Sequence, residues 1–264
     1  MKFLEFLYNS IIGRAILKIF TKTWFSKLVG KFLDSPCSKF LIKGFVKRNN
    51  IDLNEYENVD YACFNDCFTR KMKGNIRTIE DGLVSPCDSF LRAIKISDGT
   101  LFEVKHSFYS VEDLVKDKKL TEKYLGGTCL IFRLSTEHYH RYIFPSSGIK
   151  GKNTFIKGKL HTVQPFAQRR YPVFVENCRE YTTLHTKEFG DILQMEVGAL
   201  LVGKIVNYMQ EGNFSKGDEK GMFLYGGSTI ILLIEKDRAT IPELYFDHEV
   251  EVKMGQKIGK QNSI

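Results

Sequence analysis

A glycine pair followed by two hydroxyl residues stands directly before an apolar run near the C-terminus. The sequence reads Tyr225-Gly-Gly-Ser-Thr229, and the apolar residues 230–234 follow. Taken alone, this run is typical of a tight turn, because glycine adopts backbone conformations that other residues avoid. It could also serve chemistry, since Gly227 has no side chain to shield its carbonyl from attack. Ser228 is therefore a candidate nucleophile.

Two histidines stand two residues apart in the segment Leu134-Ser-Thr-Glu-His-Tyr-His-Arg141. On a strand, His138 and His140 would share one face. The pair is compatible with a zinc hydrolase site in which Asp88 is a further ligand. It is equally compatible with a catalytic base and a neighbour, and each histidine could instead be a structural residue of the core.

A third candidate lies in Pro86-Cys-Asp88, before another β-rich segment. An aspartate in this position is usually a turn former, but it could also orient a histidine and stabilise its charged form. Asp88, His140 and Ser228 would together supply an orienting group, a base and a nucleophile. Because such triads are defined by geometry and not by chain order, the residues alone leave this arrangement open.

The elements that must position these residues change in character along the chain. Residues 1–50 carry apolar side chains at helical spacing, and their ten basic and two acidic groups account for the whole net charge of +8. We predict helices there, packed on a core or lying on an anionic membrane, and a further helix within residues 60–73. From about residue 83 we predict short strands and a small helix at 110–119; the strand segments are 90–96, 129–134, 139–144, 171–175, 192–197, 200–206 and 229–234.

Composition excludes several classes of protein. Hydrophobic residues make up 43% and charged residues 27% of the chain, which is typical of a folded globular protein. The six cysteines form no CxxC pair, and the lysine-interrupted start does not resemble a signal peptide, so we expect free thiols in a reducing compartment. No window of twenty residues is free of charge, so we expect no transmembrane helix.

The chain contains seven short motifs in a fixed order. They are Phe64-Asn-Asp-Cys-Phe-Thr-Arg70, Pro86-Cys-Asp88, Tyr139-His-Arg141, Lys159-Leu-His-Thr-Val163, Asn177-Cys-Arg-Glu180, Val197-Gly-Ala-Leu-Leu-Val-Gly203 and Phe223-Leu-Tyr-Gly-Gly-Ser-Thr229. In this order and spacing they resemble the phosphatidylserine decarboxylase family in its compact clostridial form. Three positions depart from the family pattern: Ile143 stands where many relatives have a second histidine, His138 where they often have aspartate, and Ser89 where glycine is frequent.

The resemblance implies an α+β protein with N-terminal amphipathic helices and a mainly β catalytic domain of barrel-sandwich type. We expect residues 1–80 to form a membrane-associating helical region and residues 81–264 the decarboxylase domain. The family implies self-cleavage between Gly227 and Ser228, with His140, oriented by Asp88, accepting the Ser228 proton. The products would be a β chain of residues 1–227 and an α chain of residues 228–264.

The resemblance also implies the cofactor, the reaction and the partners. Ser228 would become a covalent pyruvoyl group, with no metal required, and His161 is a further candidate for the site. The pyruvoyl group would form a Schiff base with phosphatidylserine, so that the carboxy-lyase releases carbon dioxide and leaves phosphatidylethanolamine. We expect a peripheral protein on the cytoplasmic face of the cell membrane, bound to phosphatidylserine in an anionic membrane, with a possible homodimer and no nucleic-acid partner.

Two alternatives to this interpretation remain. The zinc hydrolase would use His138 and His140, but it would leave the Gly-Gly-Ser-Thr segment unexplained. A non-enzymatic alternative is a lipoyl or biotinyl carrier domain, because residues 251–259 resemble the glycine-bearing turns of those folds. Lys253-Met254, however, lacks the usual methionine before the lysine.

Overall fold

The computed structural model describes residues 2–57, 60–74, 76–97, 100–104, 107–200, 204–226 and 228–262. Short 3-10 helices lie at Pro36–Lys39 and Leu53–Glu55. The α-helices are α1 (Lys2–Asn9), α2 (Ile11–Phe20), α3 (Thr23–Leu33), α4 (Phe40–Arg48), α5 (Phe64–Phe68), α6 (Val111–Val115), α7 (Lys118–Lys123), α8 (Pro165–Gln168), α9 (Val173–Glu176) and α10 (Leu244–Asp247).

Antiparallel strands form the rest of the framework. They are β1 (Leu83–Val84), β2 (Ser89–Lys95), β3 (Thr100–Val104), β4 (Ser107–Ser110), β5 (Thr128–Leu134), β6 (Arg141–Ile143), β7 (Gly148–Lys150), β8 (Thr154–Ile156), β9 (Arg179–Thr186), β10 (Gly190–Val197), β11 (Ile205–Asn207), β12 (Gly212–Phe214), β13 (Glu219–Phe223), β14 (Ser228–Ile234), β15 (Ala239–Thr240), β16 (Val250–Val252) and β17 (Lys257–Gln261). The main sheet has the order β12-β7-β9-β10-β14-β5-β2-β16, and β8 pairs with β9. Smaller sheets are β1-β17-β15, β11-β13-β6 and β3-β4.

The three central strands of the main sheet are buried on both faces. Alternate side chains of β14 enter two separate cores: Ile231 and Leu233 enter one, and Ile230 and Leu232 enter the other. The first core is covered by helices, including α1, α2, α6 and α9, and the second by the small sheets that contain β6, β13 and β17. Burial on both faces explains the uninterrupted apolar sequence of β14, since neither face is left for polar residues.

The N-terminal helices divide their apolar residues between the core and the surface. Leu7, Tyr8 and Leu17 are buried in the same core as the main sheet. Ile11 and Trp24 instead remain 79% and 55% exposed. These helices are therefore anchored to the sheet and still present an apolar surface outward. Among the described residues, no helix combines the length and apolar character that crossing a bilayer requires.

The predicted fold class, helices first and a mainly β region after them, is confirmed. The layers form a sandwich, and the described strands do not close into a barrel. The strand predicted at 171–175 is wrong: α9 occupies Val173–Glu176, because Pro172 cannot donate to a strand ladder and Val173 and Phe174 pack into the core. The helix predicted within 60–73 is shorter, Phe64–Phe68, and the segment predicted at 200–206 forms a strand only at Ile205–Asn207, while 201–203 lie outside the described residues.

Candidate active site

Three candidate segments that are far apart in sequence lie together at one end of the strands of the main sheet, which is called the site edge. The strands β14, β5 and β2 are neighbours, and β5 runs antiparallel to the other two. Asp88 immediately precedes β2, the histidine segment follows the end of β5, and Ser228 begins β14, where it pairs with Leu134. The antiparallel register therefore places all three segments at the same end of the sheet.

A second connection fixes the histidine segment against the segment that leads to Ser228. The Phe223 amide donates to the carbonyl of His140 at 2.9 Å. Residues 134–140 and 223–228 are therefore joined at both ends, by the Leu134–Ser228 pair and by this hydrogen bond. His140 follows β5 and Ser228 begins β14, so both lie at the same end of two neighbouring strands.

The His140 imidazole is held in one tautomer and keeps one nitrogen free. Its Nδ1 lies 2.8 Å from the carbonyl oxygen of His138, which can only accept, so Nδ1 carries the hydrogen. Nε2 is then an acceptor, and it is buried without a hydrogen-bond partner in the described part of the chain. Burial, reinforced by the positive charge of Arg70, holds the pKa of His140 well below its usual value, so the ring is neutral at pH 7.

Ser228 offers a matching group. Its side chain is fully buried, and its Oγ makes no hydrogen bond to any described residue. Two residues earlier, Gly226 has a φ of +131°, a conformation that residues with a Cβ rarely adopt. Gly227, the expected cleavage partner, lies outside the described residues. The backbone before it is held by the Tyr225 amide, which donates to Asn65 Oδ1 at 3.0 Å.

Asp88 is buried at this edge, but its carboxylate contacts groups other than His140. Oδ2 accepts from Arg77 at 3.1 Å, and Oδ1 accepts from the Met254 amide at 2.8 Å. The expected hydrogen bond to His140 is not among the contacts of the described residues. Burial lowers the pKa of His138, and the charges of Glu137 and Asp88 oppose that shift, so the histidine that Asp88 influences here is His138.

Arg70 is a site residue that the sequence analysis did not single out. Its buried guanidinium donates through Nη2 to the carbonyls of Glu137 and His138 at 3.1 and 3.2 Å. The His138 carbonyl that orients His140 is thereby fixed from a second side. Phe68, two residues earlier, packs against the His140 ring at 4.0 Å between centroids. Both residues belong to the segment Phe64-Asn-Asp-Cys-Phe-Thr-Arg70, whose match to the family is the only sequence signal that indicates them.

The residues of the two alternative functions occupy other roles. His138 Nδ1 accepts from the Ser135 amide at 3.0 Å, and no group of three metal-ligating side chains is found among the described residues. Lys253 pairs with Glu251 at 2.7 Å, and the next residue, Met254, supports Asp88. The segment that resembles a carrier turn therefore buttresses the candidate site.

His161 packs against the N-terminal helices. Its Nδ1 is 3.3 Å from the Tyr8 hydroxyl, and its ring stacks on Tyr171. Burial lowers its pKa to about 4, against the opposing charge of Glu176. Its carbonyl accepts from the Leu200 amide at 3.2 Å, shortly after β10, whose last residue Val197 pairs with Thr229. His161 therefore lies on the helix-covered side of the sheet, near the end at which β14 begins.

The chain is similar to a known protein family and to several of its members. The family model for phosphatidylserine decarboxylase matches residues 64–260. The phosphatidylserine decarboxylase proenzyme 2 of Clostridium acetobutylicum is 44% identical over 268 residues, which cover 98% of this chain and 92% of that protein. The phosphatidylserine decarboxylase proenzymes of Clostridium tetani and Clostridium novyi are 42% and 41% identical, each with 92% of its length covered.

Proposed function

The chain belongs to the phosphatidylserine decarboxylase family, and we propose that it converts phosphatidylserine to phosphatidylethanolamine and carbon dioxide with a pyruvoyl group made from its own Ser228. The observation that carries the assignment of the residues is a pair of buried, unpartnered polar atoms. Ser228 Oγ and His140 Nε2 lie on adjacent connections at one sheet edge, and neither has a hydrogen-bond partner in the described structure. Such atoms are costly to bury, so their presence together points to a reacting pair.

Self-cleavage begins with proton transfer from the Ser228 hydroxyl to a base. Neutral His140 supplies that base through Nε2, because Nδ1–H is engaged by the His138 carbonyl. Ser228 Oγ then forms a bond to the carbonyl carbon of Gly227, and the amide bond between the two residues breaks. The Ser228 nitrogen takes the proton, and the link between the residues becomes an ester.

The second stage removes the ester and creates the new end of the chain. Loss of the Ser228 α-proton breaks the Cβ–Oγ bond, which leaves a carboxylate on Gly227 and a dehydroalanine at position 228. Hydrolysis of that dehydroalanine releases ammonia and leaves the pyruvoyl cap on the α chain, residues 228–264. Strand β14 keeps this fragment in place, because it pairs with β5 and β10 on both sides.

The residues at the edge fit such a group. Position 228 is fully buried and its hydroxyl is unpartnered, so a keto oxygen there would displace no existing hydrogen bond. When formed, the pyruvoyl group supplies an electron sink for the electrons left by the departing carboxylate. The chain contributes a buried position at residue 228 and His140, whose unpartnered Nε2 would hold and return a proton. Asp88, fixed by Arg77 and Met254, places a negative charge at the same edge.

Substrate access is supported by a basic groove beside the cleavage segment. The groove has a volume of about 310 Å³ and lies between α3 and residues 224–225. Lys27, Lys31 and Lys204 contribute positive charge to its lining. We assign the phosphate of the lipid headgroup to this groove, which opens three residues before Ser228. We also propose a peripheral position on the cytoplasmic face of the cell membrane, which a lipid substrate and the basic N-terminal helices support. A homodimer stays a prediction that light scattering would test.

The first test uses a matched pair of serine variants. Ser228→Ala removes the nucleophile and should leave a single uncleaved chain on a denaturing gel, with no carbon dioxide released from phosphatidylserine. Ser89→Ala is the control, because Ser89 is also fully buried at this edge with an unpartnered hydroxyl. The Ser89→Ala variant should mature normally. Its small fragment should have the mass of residues 228–264 with a pyruvoyl group at position 228. Cleavage or decarboxylation by Ser228→Ala would refute the nucleophile assignment.

A second test separates the proposal from a zinc hydrolase. Hydroxylamine should abolish decarboxylation by trapping the keto group, while a metal chelator should leave it unchanged. Loss of activity to the chelator alone would favour a metal site at His138 and His140.

A further inference from the structure

A second, larger groove lies between the N-terminal helices and the strand-rich region. It has a volume of about 970 Å³, the upper end of the range for small-molecule sites. Neither His140 nor Ser228 lines it. It is formed by α2, by the start of α3, and by the segment Lys157–Lys159 with Tyr171.

The groove is strongly basic. Arg14, Lys18 and Lys22 line it from the helices, and Lys157 and Lys159 line it from the opposite wall. None of the described lining residues is acidic. Glu176 lies behind the wall and pairs with Lys159 at 3.1 Å, which leaves the other four cations without an ion pair among the described residues.

His161 connects the wall of the groove to α1 and to Glu176. Tyr8 Oη accepts from the Thr162 amide at 2.9 Å, so its own proton is directed to His161 Nδ1 at 3.3 Å. The hydrogen of the neutral ring is then on Nε2, which faces Glu176 Oε2 at 3.3 Å. His161 is only 4% exposed, so it shapes the wall, and the cations supply the charge of the groove.

Apolar side chains continue the groove outward. Leu17 is buried at its floor, and Ile11 and Trp24 line it while remaining largely exposed. A ligand that fits therefore has an anionic oxygen-rich group at one end and an apolar body at the other. An anionic phospholipid has both, and charge complementarity with the five cations favours it over a zwitterionic lipid.

We propose that this groove binds one anionic glycerophospholipid, separate from the substrate at Ser228. Its phosphate lies between Lys18 and Lys157, and its acyl chains lie along Ile11 and Trp24. The ligand needs no amine, so it is bound and not decarboxylated. This site holds the enzyme on the anionic leaflet while the edge at Ser228 processes substrate.

The test uses the mature protein and its intrinsic fluorescence. Trp24 is the single tryptophan of the chain, so its emission reports on this groove alone. The probe is short-chain phosphatidylglycerol below its micelle concentration, which has no amine to react. We expect a saturable blue shift of Trp24 emission, and an affinity lower by about tenfold or more in Lys18→Gln/Lys157→Gln.

The matched control removes two exposed lysines at the opposite end of the main sheet. Lys187→Gln/Lys236→Gln loses the same charge and should bind phosphatidylglycerol like the wild type. A wild type without saturable response, equal affinity in the Lys18→Gln/Lys157→Gln variant, or an equal response to inorganic phosphate or phosphatidylcholine would overturn the proposal. Because the readout requires no catalysis, it can be repeated on the Ser228→Ala precursor, where loss of activity leaves the lipid site testable.

Discussion

At the scale of single residues, the site is defined by atoms that lack partners. A buried polar group without a hydrogen bond costs about 1–3 kcal/mol, and folded proteins contain few of them. Ser228 Oγ and His140 Nε2 both fall in this class and share one sheet edge. Asp88 is held by Arg77 and Met254, and Arg70 donates through Nη2 to backbone carbonyls. Other buried groups nearby, such as the Ser89 and Thr229 hydroxyls, also lack partners among the described residues, and the pair Ser228–His140 differs from them in combining a nucleophile with a base.

The pKa of His140 leads to a prediction about the pH dependence of self-cleavage. The base must be neutral, and burial lowers its folded pKa well below 6.5, so it loses its neutral form only when pH falls through that lowered value. Precursor made by cell-free synthesis and transferred to buffers should cleave at a constant rate from pH 8 to 6.5. A fall centred at or above pH 6.5 would contradict the assignment.

Removal of the His140 imidazole tests its assignment as the base of self-cleavage. His140→Ala should slow cleavage by about 100-fold or more, the usual contribution of a general base. His185→Ala is the control, since His185 is exposed at the far end of β9, and it should cleave normally. Normal processing of His140→Ala, followed by failure of His138→Ala, would transfer the role of base to His138.

Gly226 carries a second prediction at this scale. Its φ of +131° strains any residue with a Cβ, at a cost of about 1–3 kcal/mol. Gly226→Ala should therefore shift the cleavage segment and slow maturation by about tenfold, measured as the fraction of precursor on a gel over time. Gly44→Ala is the control, because a Cβ at Gly44 of α4 meets open space, and it should mature like the wild type.

At the scale of elements, a buried ion pair connects β13, which leads into the cleavage segment, to β10 of the main sheet. Lys220 of β13 contacts Glu196 of β10 at 2.7 Å, with both side chains fully buried, and Asn207 bridges them. Lys220→Met leaves an unpaired buried carboxylate and should lower the free energy of unfolding in urea by about 3–5 kcal/mol. Lys39→Met breaks the exposed pair with Asp60 and should leave the free energy of unfolding nearly unchanged, because solvent screens this pair. A small effect of Lys220→Met would show that the pair is not a structural link.

The elements also show what the sequence can and cannot predict. The apolar runs at 129–134, 192–197 and 229–234 predict strands, and the structure confirms them, because burial on both faces demands such runs. Strand β9 is not predicted, since its charged residues hide the pattern. Arg179 at its start is buried and satisfied by the carbonyls of Leu114, Val175 and Asn177, which only the fold brings together.

The candidate site, like the fold, can be predicted from the sequence only in part. The candidate residues Asp88, His140 and Ser228 can be selected from motif and resemblance. Their partners cannot, because only the fold brings Arg77 and Met254 to Asp88 and brings Arg70 to the His138 carbonyl that orients His140. No spacing in the sequence indicates that the His138 carbonyl, and not Asp88, receives the hydrogen of His140 Nδ1.

At the scale of the whole molecule, charge and exposed apolar surface coincide. The net charge of +8 is contained in residues 1–50, whose helices also expose Ile11, Ile12, Trp24 and Leu28. The same helices bury Leu7 and Tyr8 in the core of the main sheet. Deleting them would therefore damage the fold, so membrane association has to be tested by substitution at exposed positions.

The last prediction concerns binding to vesicles that contain phosphatidylserine. Ile11→Ser/Ile12→Ser removes apolar groups that are 79% and 69% exposed, so the fold should be retained while partitioning from water into the bilayer weakens. We expect cosedimentation with anionic vesicles to fall at least fivefold, and wild-type binding to decrease as salt screens the lysines. Ile149→Ser is the control, because Ile149 is similarly exposed on β7, away from the helices. Equal losses in both variants would mean that the N-terminal surface has no special affinity for lipid, whereas a loss confined to the helices would place the membrane on the same side as both basic grooves.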